Sequence, residues 1–292
     1  MVKRLLAGLA GAAILVGCTT GNFSEVAPRG GWRAEAEGAC MDRRAGVQQT
    51  ASAGLPLAEG GNAEKSKSPL AGPSIVELPP IIEDPCGIDQ PLKVSALVDG
   101  QTAIDAPATL GCPVTEALDL WMRESVQPAA IEWIGAPVIE IKQLSAYSCR
   151  KRNIFGKGYS EHAFGNALDI AEFRFANGEM LTIAKDWDGS TKAQGFLREI
   201  FATACQRFTT TLGPGTNMLH YNHIHVDLAL IAPDKTPKMC IPWPEVTPPS
   251  RAPVGGEQIA NARIGTPAVP AASAPPNVAS PAGVDVAVPG AD

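Results

Sequence analysis

Residues 160–170 read Ser-Glu-His-Ala-Phe-Gly-Asn-Ala-Leu-Asp-Ile, and residues 220–227 read His-Tyr-Asn-His-Ile-His-Val-Asp. These two stretches contain all four histidines of the 292-residue chain. Imidazole and carboxylate are the ligands that zinc takes in hydrolytic sites, where a fourth position is left for water. We therefore expect the fold to bring the two stretches together around one metal ion.

The second stretch alternates as a half-buried strand does, with successive side chains pointing to opposite faces. The apolar residues Ile224 and Val226 share one face, which packs inward. His220 has the same parity but lies at the entrance of the strand, where a loop can redirect its side chain. The opposite face must border a cleft, and it carries a polar row: Tyr221, His223, His225 and Asp227.

The first stretch needs a bend to form a site. His162 and Asp169 are seven residues apart, so they would face opposite ways on a continuous strand. Gly165 and Asn166 lie between them and supply a bend that brings both to one point. A hydrogen-bonded histidine cluster without a metal is the alternative for the same residues.

The pattern of the remaining chain predicts an α+β fold, with a small antiparallel sheet and flanking helices. Strands and helices are mixed without regular βαβ alternation. An Asn-Gly pair at residues 177–178 favours a tight hairpin turn. We expect strands at 88–98, 138–144 and 219–230, a hairpin of 168–175 with 180–184, and helices at 113–126 and 191–208.

The N-terminus predicts export. Residues 1–17 have a basic start and a short apolar run, as a signal peptide does, and the run is too short to span a bilayer. Leu-Val-Gly-Cys at 15–18 resembles the bacterial lipobox, which implies that Cys18 carries a lipid and anchors the chain in a membrane. No aspartate follows Cys18, which favours the outer membrane and a periplasm-facing domain. An ordinary cleaved signal with a chance cysteine is the alternative.

Composition divides the rest of the chain into three parts. Residues 18–80 are rich in Gly, Ala, Ser and Pro and predict a largely disordered tether, from which Trp32 and Cys40 dock on the domain. Residues 81–241 predict one folded domain of ordinary size. Residues 242–292 are proline-rich and predict an extended, disordered tail.

The cysteines predict disulfide bonds, because an even number remains in an exported chain once Cys18 is set aside. Sequence alone does not choose their pairing, and a structural zinc site is disfavoured because no Cys-x-x-Cys pair occurs. The formal net charge of −6 argues against nucleic acid as a partner. The candidate disulfide cysteines are Cys40, Cys86, Cys112, Cys149, Cys205 and Cys240.

The histidine stretches resemble two metal motifs of one superfamily. Residues 160–170 resemble the first motif of zinc peptidases that include D-Ala-D-Ala carboxypeptidases, penicillin-insensitive murein endopeptidases and the Hedgehog fold. His223-x-His225 resembles their second motif. Residues 149–150, 160–165, 212–215 and 220–227 together resemble the bacterial extensin-like C-terminal domain family, over roughly residues 86–240. The resemblance implies a Hedgehog/DD-peptidase-like zinc fold.

Carried over position by position, the resemblance implies one zinc ion that is held by two imidazoles and one carboxylate. Many relatives have an acidic general base three residues before the last ligand, but here that residue is Asn222, whose amide cannot take a proton. His223 is the substitute that we expect, because it shares a face with the last ligand and titrates near neutrality. The implied ligands are His162, Asp169 and His225.

The resemblance also implies roles for neighbouring residues. Arg150 would hold a substrate carbonyl or carboxylate, although a solvated arginine beside a disulfide is the alternative. Asp227 would orient a histidine. Ser160 would hydrogen-bond the loop or the substrate, and His220 would line the metal.

These expectations lead to one main hypothesis of function and two alternatives. The main one is an envelope lipoprotein with a zinc-dependent peptidase domain that hydrolyses peptide bonds in peptidoglycan. The first alternative is a non-catalytic, zinc-stabilised lipoprotein that binds the cell wall or has a structural role there. The second is a zinc hydrolase that acts on another envelope polymer.

Overall fold

The computed structural model describes residues 31–52, 73–152, 158–229 and 238–265. Its helices are α1 (Trp32–Ser52), α2 (Cys112–Trp121), a π-helical turn (Met122–Val126), α3 (Gln127–Ile134), a 3-10 turn (Glu161–Phe164), α4 (Ile183–Asp186), α5 (Thr191–Arg207) and α6 (Gly256–Gly265). Its strands are β1 (Ile75–Glu77), β2 (Ile81–Glu83), β3 (Cys86–Ile88), β4 (Leu92–Leu97), β5 (Thr102–Leu110), β6 (Val138–Ser145), β7 (Ala167–Phe175), β8 (Met180–Thr182), β9 (Thr210–Leu212), β10 (Ile224–Asp227) and β11 (Met239–Ile241).

One large sheet dominates the described part of the chain. Nine of the described strands form it, in the order β1-β4-β5-β6-β7-β10-β9-β11, and β8 pairs with β7. The prediction of mixed helices and a sheet is confirmed, but the prediction of a small sheet is wrong. β1, β9 and β11 have three residues each, too few to show an alternating pattern in the sequence. The sheet is also mixed, because β5 pairs with β6 and β9 with β11 in parallel.

The hydrophobic core lies between the sheet and helices α2, α3 and α5. Phe196 of α5 makes edge-to-face contacts with Phe173 and Phe175 of β7. Trp121 at the end of α2 is fully buried and donates its indole N–H to the Ile200 carbonyl of α5. The apolar residues of β10 belong to the same core. Because side chains alternate along a strand, the polar residues of β10 lie on the other face.

Several predicted elements are confirmed, and others have different bounds. β6, the β7–β8 hairpin and α5 agree with the sequence pattern. The strand expected at 88–98 is interrupted, and the one at 219–230 is reduced to Ile224–Asp227. The helix expected to end near Val126 continues through a π-helical turn into α3 and ends at Ile134. Pro128 does not stop it, because it lies at the start of α3, where the missing N–H of a proline is tolerated.

Ordered elements also occur on both sides of residues 81–241. The stretch 18–80, predicted as a largely disordered tether, contains α1 and β1. Cys40 bonds to Cys112, and this disulfide fastens α1 to α2. In the predicted tail, α6 buries Ile259 completely. The predicted signal peptide, Cys18 and the residues beyond 265 lie outside the described residues. No helix in the described ranges has the length and apolar character to cross a membrane.

The six candidate cysteines pair with one another, which confirms that the chain carries disulfides. The Cα atoms of each pair lie 5.6–5.8 Å apart. The pairs, which the sequence left open, are Cys40–Cys112, Cys86–Cys149 and Cys205–Cys240.

Candidate metal centre

Two neighbouring strands place an aspartate and a histidine face to face. β10 pairs antiparallel with β7, and His225 is directly opposite Asp169 in the register. Both residues alternate with apolar residues that pack into the core, namely Leu168, Ile170, Ile224 and Val226. The pair therefore lies on the sheet face away from helices α2, α3 and α5.

His162 comes from the 3-10 turn Glu161–Phe164, which we call the His162 turn. Gly165 ends the turn in the left-handed conformation, with φ of 59°. It is the bend that the sequence predicted between His162 and Asp169. Nδ1 of His162 lies 2.7 Å from the Ala146 carbonyl oxygen. That contact orients the ring so that Nε2 faces the strands.

Three candidate ligand atoms converge at this point. Nε2 of His162 lies 3.2 Å from Oδ1 of Asp169 and 3.2 Å from Nδ1 of His225. The Asp169 oxygen lies 2.8 Å from Nδ1 of His225. Ligand atoms on a tetrahedral zinc with bonds of about 2.0–2.1 Å are roughly 3.3 Å apart. The three donors, which are all buried, therefore fit a zinc ion by type and by spacing.

The electrostatics of the site favour a positive charge. Burial alone would lower the pKa of His225, but hydrogen bonds to Asp169 and Asp227 outweigh it and raise the pKa to about 10. Burial alone would raise the pKa of Asp169, but hydrogen bonds from His162 and His225 hold it well below its usual range. A cation bound between these groups would take the place of the imidazolium proton.

Asp227 fixes the orientation of His225. Its Oδ2 lies 3.0 Å from Nε2 of His225, and its Oδ1 accepts a hydrogen bond from the Ala229 N–H at 2.9 Å. A carboxylate on the far nitrogen of a ligating histidine sets the tautomer and raises the basicity of the ligand. The geometry thus suits the orienting role that the sequence predicted for this aspartate.

His220 and His223 lie beside the three donors, in the loop that precedes β10. Nε2 of His223 is 3.5 Å from Oδ1 of Asp169, and the ring centroids of His220 and His223 are 5.2 Å apart. Burial lowers the pKa of His223 and lowers that of His220 to about 4. Both imidazoles are therefore neutral near pH 7, and the lowered pKa of His223 departs from the near-neutral titration that the sequence predicted.

The remaining predicted residues surround the same point. Nη2 of Arg150 is 3.6 Å from Oδ2 of Asp169, and the side chain is 37% exposed. Ser160 precedes the His162 turn and donates its backbone N–H to the Arg150 carbonyl. Oδ1 of Asn222 lies 2.9 Å from Nδ1 of His223, so the residue in the place of an acidic base contacts the histidine instead.

Sequence reasoning gave no role to two charged residues near the site. Glu161 is 5% exposed and accepts hydrogen bonds from Arg33 and from Asn166. Arg33 lies in the stretch predicted as tether. The position of Glu161 directly before the candidate ligand His162 was a signal in the sequence, but nothing in the sequence pairs it with an arginine 128 positions away.

A further cleft lies elsewhere in the described part of the chain. It has a volume of about 520 Å³ and lies among α3, α5 and the residues 248–251. Its two arginines form ion pairs with its two glutamates, Arg207 with Glu124 and Arg251 with Glu199. Because α3 and α5 pack on the opposite face of the sheet, this cleft is separate from the candidate metal centre.

Comparison with known protein families gives a match to most of the chain. The family described as extensin-like protein C-terminus matches residues 65–240, which include every residue of the candidate metal centre. No curated protein and no solved structure matches the chain.

Proposed function

We propose that this chain, which belongs to the extensin-like protein C-terminus family, is a zinc-dependent peptidase that hydrolyses peptide bonds in bacterial peptidoglycan. The observation that carries the proposal is the convergence of His162, Asp169 and His225, whose ligand atoms lie within 4.8 Å of one another. Their pattern in the sequence also resembles that of zinc peptidases of the D-Ala-D-Ala carboxypeptidase, murein endopeptidase and Hedgehog superfamily.

A zinc ion held there would act as a Lewis acid on an amide carbonyl and would activate water. The chain itself supplies the proton acceptor and the charge that holds the substrate. Nε2 of His223 lies 3.5 Å from Oδ1 of Asp169, so its imidazole would be placed to take a proton from an attacking water and pass it to the leaving amine.

Arg150 supplies a partly exposed guanidinium next to the ligands. A guanidinium suits a carbonyl oxygen that gains negative charge, and it equally suits a carboxylate of a peptide stem. Lys151 and Arg152 follow it and are exposed. They give this edge of an acidic protein a local positive charge, which favours an anionic peptide polymer as the substrate.

The compartment is part of the proposal. Three disulfides fit an oxidising environment such as the periplasm. We expect a lipid on Cys18 to anchor the chain, with the outer membrane favoured and the domain facing the periplasm. Metabolic labelling with a fatty acid tests this: the label should be present on the wild type and absent from Cys18→Ser.

The test of activity combines metal analysis with digestion of purified sacculi. The full chain should bind one zinc ion and release muropeptide fragments, while His162→Ala and Asp169→Asn should lose both properties. Asp105→Asn, at an exposed carboxylate of β5, is the matched control and should keep both. Fragment release that persists after zinc is lost would refute the zinc mechanism.

A non-catalytic, zinc-stabilised wall-binding protein is the second candidate. Asn222 favours it, because an amide stands where many relatives have an acidic base. This candidate predicts zinc binding and binding to sacculi, with no fragments released by the wild type. The digestion experiment therefore separates the two functions.

A further inference from the structure

We infer that Arg33 of α1 is a positioning residue of the zinc centre and acts through Glu161. A helix outside the matched residues 65–240 would then complete the site. This inference rests on the proposed function, because it assumes that His162 is a zinc ligand.

Arg33 contacts both ends of the His162 turn. Its Nη2 donates to the two carboxylate oxygens of Glu161 at 2.6 and 2.7 Å. Its guanidinium carbon lies 4.4 Å from the centroid of the Phe164 ring, within the range of a cation–π contact. Glu161 and Phe164 are the first and last residues of the turn, so one side chain holds both sides of His162.

Glu161 links the turn to the rest of the site. Its Oε2 accepts a hydrogen bond from the Asn166 amide at 2.7 Å, and its backbone carbonyl accepts one from the Asn166 N–H. The Asn166 carbonyl accepts in turn from the N–H of Leu228, the residue after Asp227. The Glu161 carboxylate thus connects α1, the His162 turn and the end of β10.

The ion pair of Arg33 with Glu161 is buried, so loss of either partner should disturb the local structure. The Arg33 and Glu161 side chains are 12% and 5% exposed. If the guanidinium is removed, the buried carboxylate loses its closest cationic partner and keeps the Asn166 amide, while Arg152 reaches it only at 4.0 Å. The carboxylate would then move toward water. Movement of Glu161 carries the adjacent His162 away from Asp169 and His225.

Other contacts of α1 hold the helix without touching the site. Arg44 is 4% exposed and donates to the Ile75 carbonyl at 2.8 Å. Arg43 pairs with Glu116 on the surface. The disulfide of Cys40 with Cys112 fixes the middle of the helix. Within one helix, the chain therefore offers a buried and an exposed arginine as controls for Arg33.

The experiment measures zinc affinity of the full chain by competition with a chromophoric chelator, together with thermal unfolding of the metal-free protein. Arg33→Met should weaken zinc binding about 10- to 100-fold, as expected when a group that supports a ligand is lost. Arg43→Met and Arg44→Met should keep the affinity within about threefold of the wild type, even where Arg44→Met lowers the melting temperature. An unchanged affinity in Arg33→Met overturns the inference, and so does an equal loss in Arg44→Met.

Glu161→Gln keeps the shape of the side chain and tests the same claim if Arg33→Met does not fold. It should also weaken zinc binding, and Arg33→Met/Glu161→Gln should be no weaker than the weaker single variant. A wild-type affinity in Glu161→Gln, or additive losses in the double variant, would show that Arg33 does not act through this carboxylate. Absence of zinc from the wild type would instead refute the proposed function.

Discussion

Asp169 and His225 face each other across two antiparallel strands, and Oδ1 of the carboxylate lies 2.8 Å from Nδ1 of the imidazole. The register of β7 and β10 therefore delivers two of the three candidate ligands. A slip of one residue would turn one of these side chains into the core. The apolar residues that alternate with the pair fix the register, so the same pattern that builds the core also builds the site.

Asp227→Asn should weaken zinc binding about 10- to 100-fold, because the carboxylate orients His225 through its far nitrogen. A chelator competition titration measures the change. Asp188→Asn is the control, since that aspartate is 83% exposed and pairs with Arg198 on the surface. Equal affinities in the two variants would contradict an orienting role for Asp227.

Arg150→Gln should lower kcat on peptidoglycan fragments about 100-fold, the usual effect of removing one donor to a developing oxyanion. Zinc affinity should not fall, because the variant removes a positive charge 3.6 Å from a ligand carboxylate. Lys151→Gln, at the exposed neighbouring residue, is the control for kcat. A parallel loss of zinc and activity in Arg150→Gln would indicate a structural role instead.

The candidate ligands could be predicted from the sequence because the patterns that position them lie in the residues next to them. Alternation along residues 224–227 places His225 on the polar face, and the glycine at 165 marks the bend after His162. The bounds of β10 were less predictable. The alternating pattern extends back to Tyr221, but residues 219–223 form a loop. His223 therefore reaches the site from that loop and not from the strand.

Long-range partners could not be predicted. The sequence predicted that Trp32 and Cys40 dock on the domain, but small residues dominate residues 18–80 and no apolar stripe predicted the helix α1. Its attachment depends on a disulfide and on buried arginines that pair with distant groups. A charge pattern within one segment does not reveal such pairs. The three-residue strands β1, β9 and β11 were missed for a related reason, since their pairing partners and not their composition define them.

Removal of one of two disulfides separates an effect on stability from an effect on metal binding. Cys86–Cys149 packs against Ala163 and Phe164 of the His162 turn, whereas Cys205–Cys240 joins α5 to β11. Chain entropy predicts that removal of either costs about 4 kcal/mol of unfolding free energy. Only the double Cys→Ala variant at 86 and 149 should also weaken zinc binding. Denaturant unfolding and chelator titration measure the two effects.

A similar loss of zinc affinity in the double variant at 205 and 240 would contradict the local role of the first disulfide. The comparison requires that the two variants have similar unfolding free energies, and the loop lengths predict that they do. Both loops are long, with sequence separations of 63 and 35 residues, and loop entropy grows only slowly with length.

Glu37 should make the folded protein less stable as the pH rises. Burial raises the pKa of this carboxyl above its ordinary value of 4.5, although a hydrogen bond from the Gln90 N–H opposes the shift. The folded state then binds the proton more tightly than the unfolded chain, so this contribution to stability is present below pH 4.5 and is lost as the pH rises through the raised pKa. Glu37→Gln should gain stability relative to the wild type as the pH rises above 4.5.

Denaturant unfolding at several pH values measures this change. Glu35→Gln, at an exposed position of the same helix, is the control. A constant difference between Glu37→Gln and the wild type across the pH range would contradict the assignment.

Gly165→Ala should weaken zinc binding at the candidate metal centre more than Gly135→Ala does. Gly165 has φ of 59°, and a Cβ there would lie 2.1 Å from Cδ1 of Ile88 and 3.2 Å from the Gly111 nitrogen. Gly135 has φ of 78°, but a Cβ there would meet nothing within 4 Å. Both alanines bear the left-handed strain of about 1–2 kcal/mol. Only Gly165→Ala must also displace the buried Ile88 or the turn.

Because Gly165 ends the His162 turn, its displacement moves a candidate ligand. We expect Gly135→Ala to lower the melting temperature and keep the zinc affinity of the wild type. Gly165→Ala should lower both, with the larger loss of unfolding free energy. If Gly165→Ala loses stability but binds zinc as tightly as Gly135→Ala, the bend supports the fold without setting the position of His162.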